Sequence, residues 1–195
     1  MKSMNSKKNI LAICGSTRKN SSNLNLIRFI ARQYAEIFNF VIYEGLADLP
    51  HFNPELDTEP GPKAVNDFRN LIKAADAVLI CTPEYAVGVP GSLKNAIDWT
   101  VASMEFSKKP VLLITASTSG HYAHQSLLAT LLIIESRITE ESQLLISSIR
   151  TKVNAEAEIT DQLTLEKIGK AISALEDMIK DREYAMIYLP PPLLN

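Results

Sequence analysis

No stretch of this chain approaches the roughly 20 consecutive apolar residues that a membrane span needs. The apolar run nearest the start, Ile10-Leu-Ala-Ile-Cys14, follows the basic MKSMNSKKN but is too short for the core of a secretory signal, and it meets Gly15-Ser16 at once. Cysteine is scarce: Cys14 and Cys81 each close an apolar run, and their spacing suits neither a disulfide framework nor a zinc site. A reducing compartment, and so a cytoplasmic location, is expected. Charge of one sign is also missing. The 20 Lys and Arg against 22 Asp and Glu leave a net charge of −2, without the basic stripe that nucleic acid requires. Neither nucleic acid nor a membrane is expected as a partner.

What is present is an ordinary globular composition, 46% hydrophobic over 195 residues. That suits one domain spanning 1–195, with flexible or extended ends at 1–8 and at 189–195, where Leu-Pro-Pro-Pro-Leu-Leu-Asn excludes a helix. Short apolar runs at Ile10–Cys14, Phe40–Tyr43, Ala77–Cys81, Pro110–Ala116 and Leu144–Ile149 read as strands. Helical spacing appears at Asn23–Phe38, around Phe68–Ala75, and at Ser92–Met104, Gln125–Ile134 and Leu163–Met178. Four prolines between Asp48 and Pro62 break regular structure there. Five alternations of strand and helix predict an α/β fold, a parallel sheet covered by helices on both faces. Ligands of such sheets sit outside the carboxyl ends of the strands, so the segments Gly15–Asn23, Thr82–Lys94 and Ser117–His124 are expected to converge.

The first of these, GSTRKNSSN, follows a strand and feeds a helix N-terminus, where backbone N–H groups and the helix dipole favour an anion. Ser16, Thr17, Ser21, Ser22 and Asn23 add donors, Arg18 adds a planar cation, and no carboxylate intervenes. Capping alone, by Ser22 or Asn23, would not use the other polar side chains. The pattern predicts a phosphate site. It is neither the G-x-G-x-x-G fingerprint, since Gly15 is its one glycine, nor a G-x-x-x-x-G-K-[ST] loop. Nor is it a cysteine phosphatase loop, because Arg18 stands two residues too early after Cys14.

The second segment, TPEYAVGVPGSLKNAIDWT, combines a stiff proline-bounded path with the ring of Tyr85, a wall suited to a flat apolar ligand. Glu84 is its carboxylate in the loop, and nothing in the sequence makes it a general acid. His121 and His124 stand three apart at a helix start, yet no third metal ligand accompanies them. No metal site is expected. Trp99 reads as core or interface, and His51 as exposed.

Together, GSTRKNSSN and PEYAVGVPGSLKNAIDW resemble the NADPH-dependent FMN reductases, from the first strand to about Ile134. The resemblance implies a flavodoxin-like three-layer sandwich with a five-stranded parallel sheet of order 2-1-3-4-5. It implies FMN as cofactor, with NADPH or NADH as reductant. Gly15, Ser16, Arg18, Ser22 and Asn23 would hold the phosphate, Pro83, Glu84, Tyr85 and Ala86 the ring, and Ser117, Thr118, Ser119 and Gly120 its other edge. The activity implied is passage of two electrons to a small acceptor: a quinone, azo compound, metal oxyanion or free flavin. The chemistry then resides on the flavin, with no catalytic side chain. Lys94 and Asp98 lie in a helix that family members use for subunit contacts, so a homodimer or homotetramer is implied. Ala86 departs from the Asn common after Pro-Glu-Tyr, and His121-Tyr122-Ala123-His124 replaces a glycine-rich run. The competing readings are a flavodoxin-type one-electron carrier, which would favour a more acidic chain, and a flavin-free regulatory protein on the same fold.

Overall fold

The computed structural model describes residues 7–154, 156–181 and 187. Five parallel strands, β1 (Lys8–Cys14), β2 (Phe38–Tyr43), β3 (Ala77–Thr82), β4 (Val111–Ala116) and β5 (Gln143–Ile146), form one sheet in the order β2-β1-β3-β4-β5. Register runs Ile10 against Ala77 and Phe40, Val78 against Val111, and Leu113 against Gln143. Every residue of β3 and β4 is buried, as expected of central strands covered on both faces.

Strand alternation divides the core in two. Ile10, Ala12 and Cys14 face helices α1 (Ser22–Gln33) and α5 (Gln162–Lys180). Leu11 and Ile13 face α2 (Lys63–Ala74), α3 (Gly91–Asp98) and α4 (His121–Ile133). Each fully buried Leu or Ile contributes roughly 1.5–3 kcal/mol. The connection leaving β1 thus goes to one face and that leaving β3 to the other, which opens a crevice at their carboxyl ends.

The boundaries depart from the periodicity in several places. The α1 stripe predicts a helix to Phe38, but Phe38 opens β2, and its burial reflects a strand position. Helix α3 stops at Asp98 instead of Met104. The buried guanidinium of Arg69 takes the carbonyl of Trp99, while also pairing with Asp57 at 2.7 Å. Helix α4 starts at His121, four residues before the predicted Gln125, and β5 ends at Ile146 because Ser148 turns left-handed at φ 55°. Trp99 is core: fully buried, it donates from Nε1 to the Pro50 carbonyl (2.8 Å) and holds Phe52 edge-on. His51 is exposed. At the amino end Lys8 belongs to β1 rather than to a loose segment; residues 1–6 and 189–195 lie outside the described ones.

Candidate functional site

Gly15 carries the first loop tightly over β3. Its N–H donates to the Cys81 carbonyl at 2.8 Å, and a Cβ there would stand 2.3 Å from Thr82 Oγ1. Glycine is required at this position by close approach of the two segments. Ser16 is buried, 3.4 Å from the hydroxyl of Tyr85, and accepts from the Arg18 N–H. The N-cap of α1 is Ser21, not Ser22 or Asn23: its Oγ accepts from Asn23 N–H at 3.2 Å. No acid lies in the first helical turn, so its positive end is uncompensated. The Asn23 side chain turns inward, donating to the Ala116 carbonyl (3.0 Å) and accepting from the Cys81 thiol (3.2 Å). It positions the helix against β3 and β4.

The second loop is a two-residue hairpin in which Tyr85 and Gly88 exchange both backbone hydrogen bonds at 3.0 Å. Ala86 and Val87 at its tip have φ 48° and 62°, the left-handed pair that such hairpins need and that L side chains disfavour. Below the tip, Glu84 reaches the third loop. Its carboxylate accepts from Ala123 N–H at 2.9 Å and Gly120 N–H at 3.3 Å, and its own N–H donates to Ser117 Oγ. The Ala123 N–H, foremost, holds this carboxyl below its usual range. Glu84 therefore caps α4, whose own N-cap residue, Gly120, has no side chain to do so.

These loops enclose a cavity of about 260 Å³. Ser16, Arg18, Ser21, Ser22 and Asn23 line it from the first loop, Pro83, Glu84 and Tyr85 from the second, and Ala116, Ser117 and Thr118 from the third, with Ile149 and Arg150 beyond β5. Of the predicted residues, Gly15, Ala86, Ser119 and Gly120 do not line it. Ser21, Ala116, Ile149 and Arg150 line it without belonging to the expected set. Ser21 was legible as a donor of the loop, whereas Arg150 carries no local signal, because only the β4–β5 pairing brings it there. A roomier cavity, about 680 Å³, lies at the opposite end of the strands. Several of its polar side chains are engaged structurally: Lys8 with Asp76, Lys109 with the Ala75 carbonyl, Arg137 with the Met178 carbonyl.

His121 and His124 do not form a pair of ligands. His124 lies between Thr115 Oγ1 (2.9 Å) and Gln143 Oε1 (3.0 Å), and burial lowers its pKa, while His121 is exposed. Among the described residues no three His, Cys, Asp or Glu side chains cluster as metal ligands, and no helix is long and apolar enough to cross a membrane.

A hydroxyl-lined helix N-terminus beside an arginine, opening onto a Pro-Tyr wall at the crevice of a 2-1-3-4-5 sheet, is the arrangement that the sequence resemblance implies. A model of the NADPH-dependent FMN reductases matches residues 8–151. The chain belongs to that family. A quinone reductase of Escherichia coli is 29% identical over 184 residues, covering 91% of this chain and 98% of that protein. An NAD(P)H-dependent FMN reductase of Pseudomonas aeruginosa is 31% identical, with 86% and 92% covered. Among solved structures, a flavoenzyme NAD(P)H:(acceptor) oxidoreductase of Paracoccus denitrificans superposes with a TM-score of 0.71 at 26% identity, over 89% of this chain and 97% of that one. As an NADPH-dependent FMN reductase, the chain uses the flavodoxin-like fold expected from its two motifs.

Proposed function

We propose that the 260 Å³ cavity is the FMN site of an NAD(P)H-dependent oxidoreductase that passes two electrons from NADPH or NADH to a quinone, azo compound, metal oxyanion or free flavin. The observation that carries this reading is the placement of a cationic, hydroxyl-rich helix N-terminus and a proline-aromatic wall on one cavity. The residues fit the cofactor. Arg18, Ser16, Ser21 and Ser22, with the first-turn N–H groups of α1, hold a phosphate dianion through charge-assisted hydrogen bonds. Pro83 and Tyr85 offer a flat surface to the ring. Of the four N–H groups in Ser117–Gly120, Ser117 donates to the Ile146 carbonyl and Gly120 to Glu84. Of the two that remain, Thr118, exposed and lining the cavity, is the one to stabilise negative charge at the polar edge of the ring. When bound, FMN supplies the electron chemistry, and the protein supplies position and electrostatics.

The oligomer we propose is a homodimer or homotetramer built on the α3 side. Supporting it, Val101 and Met104 stand 50% and 58% exposed after α3, and Val87 is 65% exposed at the hairpin tip. Lys94 and Asp98 pair with each other at 2.5 Å along the same helix. A cytoplasmic location is supported by Cys14 and Cys81, register partners across β1 and β3 that remain free thiols.

The test is a visible spectrum of the purified protein after incubation with FMN, repeated anaerobically with NADPH and with NADH. Flavin bands that co-purify and then bleach establish cofactor and reductant. A protein that stays colourless with excess FMN overturns the assignment.

A further inference from the structure

The charged side chains lining the cavity are Arg18, Glu84 and Arg150. Arg18 and Glu84 cancel, whereas a phosphate monoester brings a charge of about −1.5 to −2 at neutral pH. Only with Arg150 does the wall become net positive. Arg150 is not placed there by chance contact: the turn that bears it is tied to the third loop by main-chain bonds from Ile149 N–H to the Ser117 carbonyl and from Ser148 N–H to the Thr118 carbonyl, both 3.1 Å. The segment that follows is tied to α1 by Asn25, whose Nδ2 donates to the Asn154 carbonyl at 3.1 Å, within the first turn of the helix. Arg150 thus stands beside the helix N-terminus that Arg18 approaches from the other loop. Among the described residues its guanidinium makes no hydrogen bond or ion pair.

We infer that Arg150 is a second guanidinium for the terminal phosphate of the cofactor, closing on the dianion together with Arg18. This rests on the FMN reading above. It adds a phosphate-binding residue from beyond β5, outside the loops that carry the family motifs. The planar fork of arginine suits a phosphate, and a strand-end turn held by two backbone bonds keeps the ordering cost of the contact low.

The experiment titrates flavin-stripped full-length protein with FMN and, separately, with riboflavin, which has the ring but no phosphate, following flavin fluorescence. R150A is expected to raise the Kd for FMN about tenfold or more, the loss of one charged hydrogen-bonding partner, and to leave riboflavin binding unchanged. R150K should recover part of the loss, and added salt should weaken wild-type FMN binding more steeply than that of R150A. Unchanged melting temperature in both variants shows that folding is not the cause. R150A binding FMN as tightly as wild type, or losing riboflavin equally, overturns the inference while leaving the FMN site in place. Wild-type protein that binds neither flavin overturns the site itself.

Discussion

The carboxylate of Glu84 caps a helix to which it does not belong, accepting at 2.9 Å from the N–H of Ala123 in the first turn of α4. One side chain thereby joins the second and third loops of the site. Replacing Glu84 with Ala should cost about 1 kcal/mol, the value of a helix cap, whereas Gln keeps one acceptor and loses the charge on the helix dipole, about 0.3–1 kcal/mol. Because folding lowers the pKa of this group, its contribution is present above the ordinary carboxylate pKa of about 4.3 and is lost as pH falls through the folded value. Urea unfolding of wild type and E84Q should converge in that acid range and differ above it.

Ala86 holds φ 48° where the family commonly has Asn, a residue that tolerates left-handed backbone. A86N should therefore stabilise the hairpin by about 0.5–1 kcal/mol, read as a higher urea midpoint. A lower midpoint would show that the tip relaxes in solution.

Gly15 admits no side chain, since its nearest neighbour is Thr82 on a fully buried strand. G15A should destabilise by about 1–3 kcal/mol through overpacking and weaken FMN binding by displacing the loop. Denaturation and flavin titration on the same sample test both effects.

With Gln143 Oε1 as its acceptor, His124 carries a proton on Nε2, and the neutral imidazole then accepts from Thr115 at Nδ1. Burial, the larger cause, lowers its pKa in the folded state, so the unfolded chain takes up the proton first. Stability should fall as pH drops below about 6.5, the ordinary histidine value, and that part of the pH profile should flatten in H124Q. Calorimetry between neutral and mildly acid pH measures it.

The parallel sheet and the converging loops are legible because short apolar runs and helical stripes alternate cleanly, and the strand order follows from the resemblance carried by GSTRKNSSN and PEYAVGVPG. What escaped was set across the sheet. Helix α4 begins early because Glu84 caps it from another loop, and α3 ends early because Arg69 claims the Trp99 carbonyl. Gly15 looked like a ligand glycine, yet its contact is with Thr82, a residue 67 positions away that only β1–β3 pairing brings near. Arg150 reaches the cavity by the same kind of pairing, between β4 and β5.

The buried amide of Asn23 bridges β3 and β4 through Cys81 and Ala116. The helix whose amides we propose for the anion is thus held in orientation by the protein itself, so the flavin is expected to dock into a preformed frame. Association in a stopped-flow trace should follow a single exponential whose rate rises linearly with flavin concentration. N23L, with the lock removed, should show a second, concentration-independent phase.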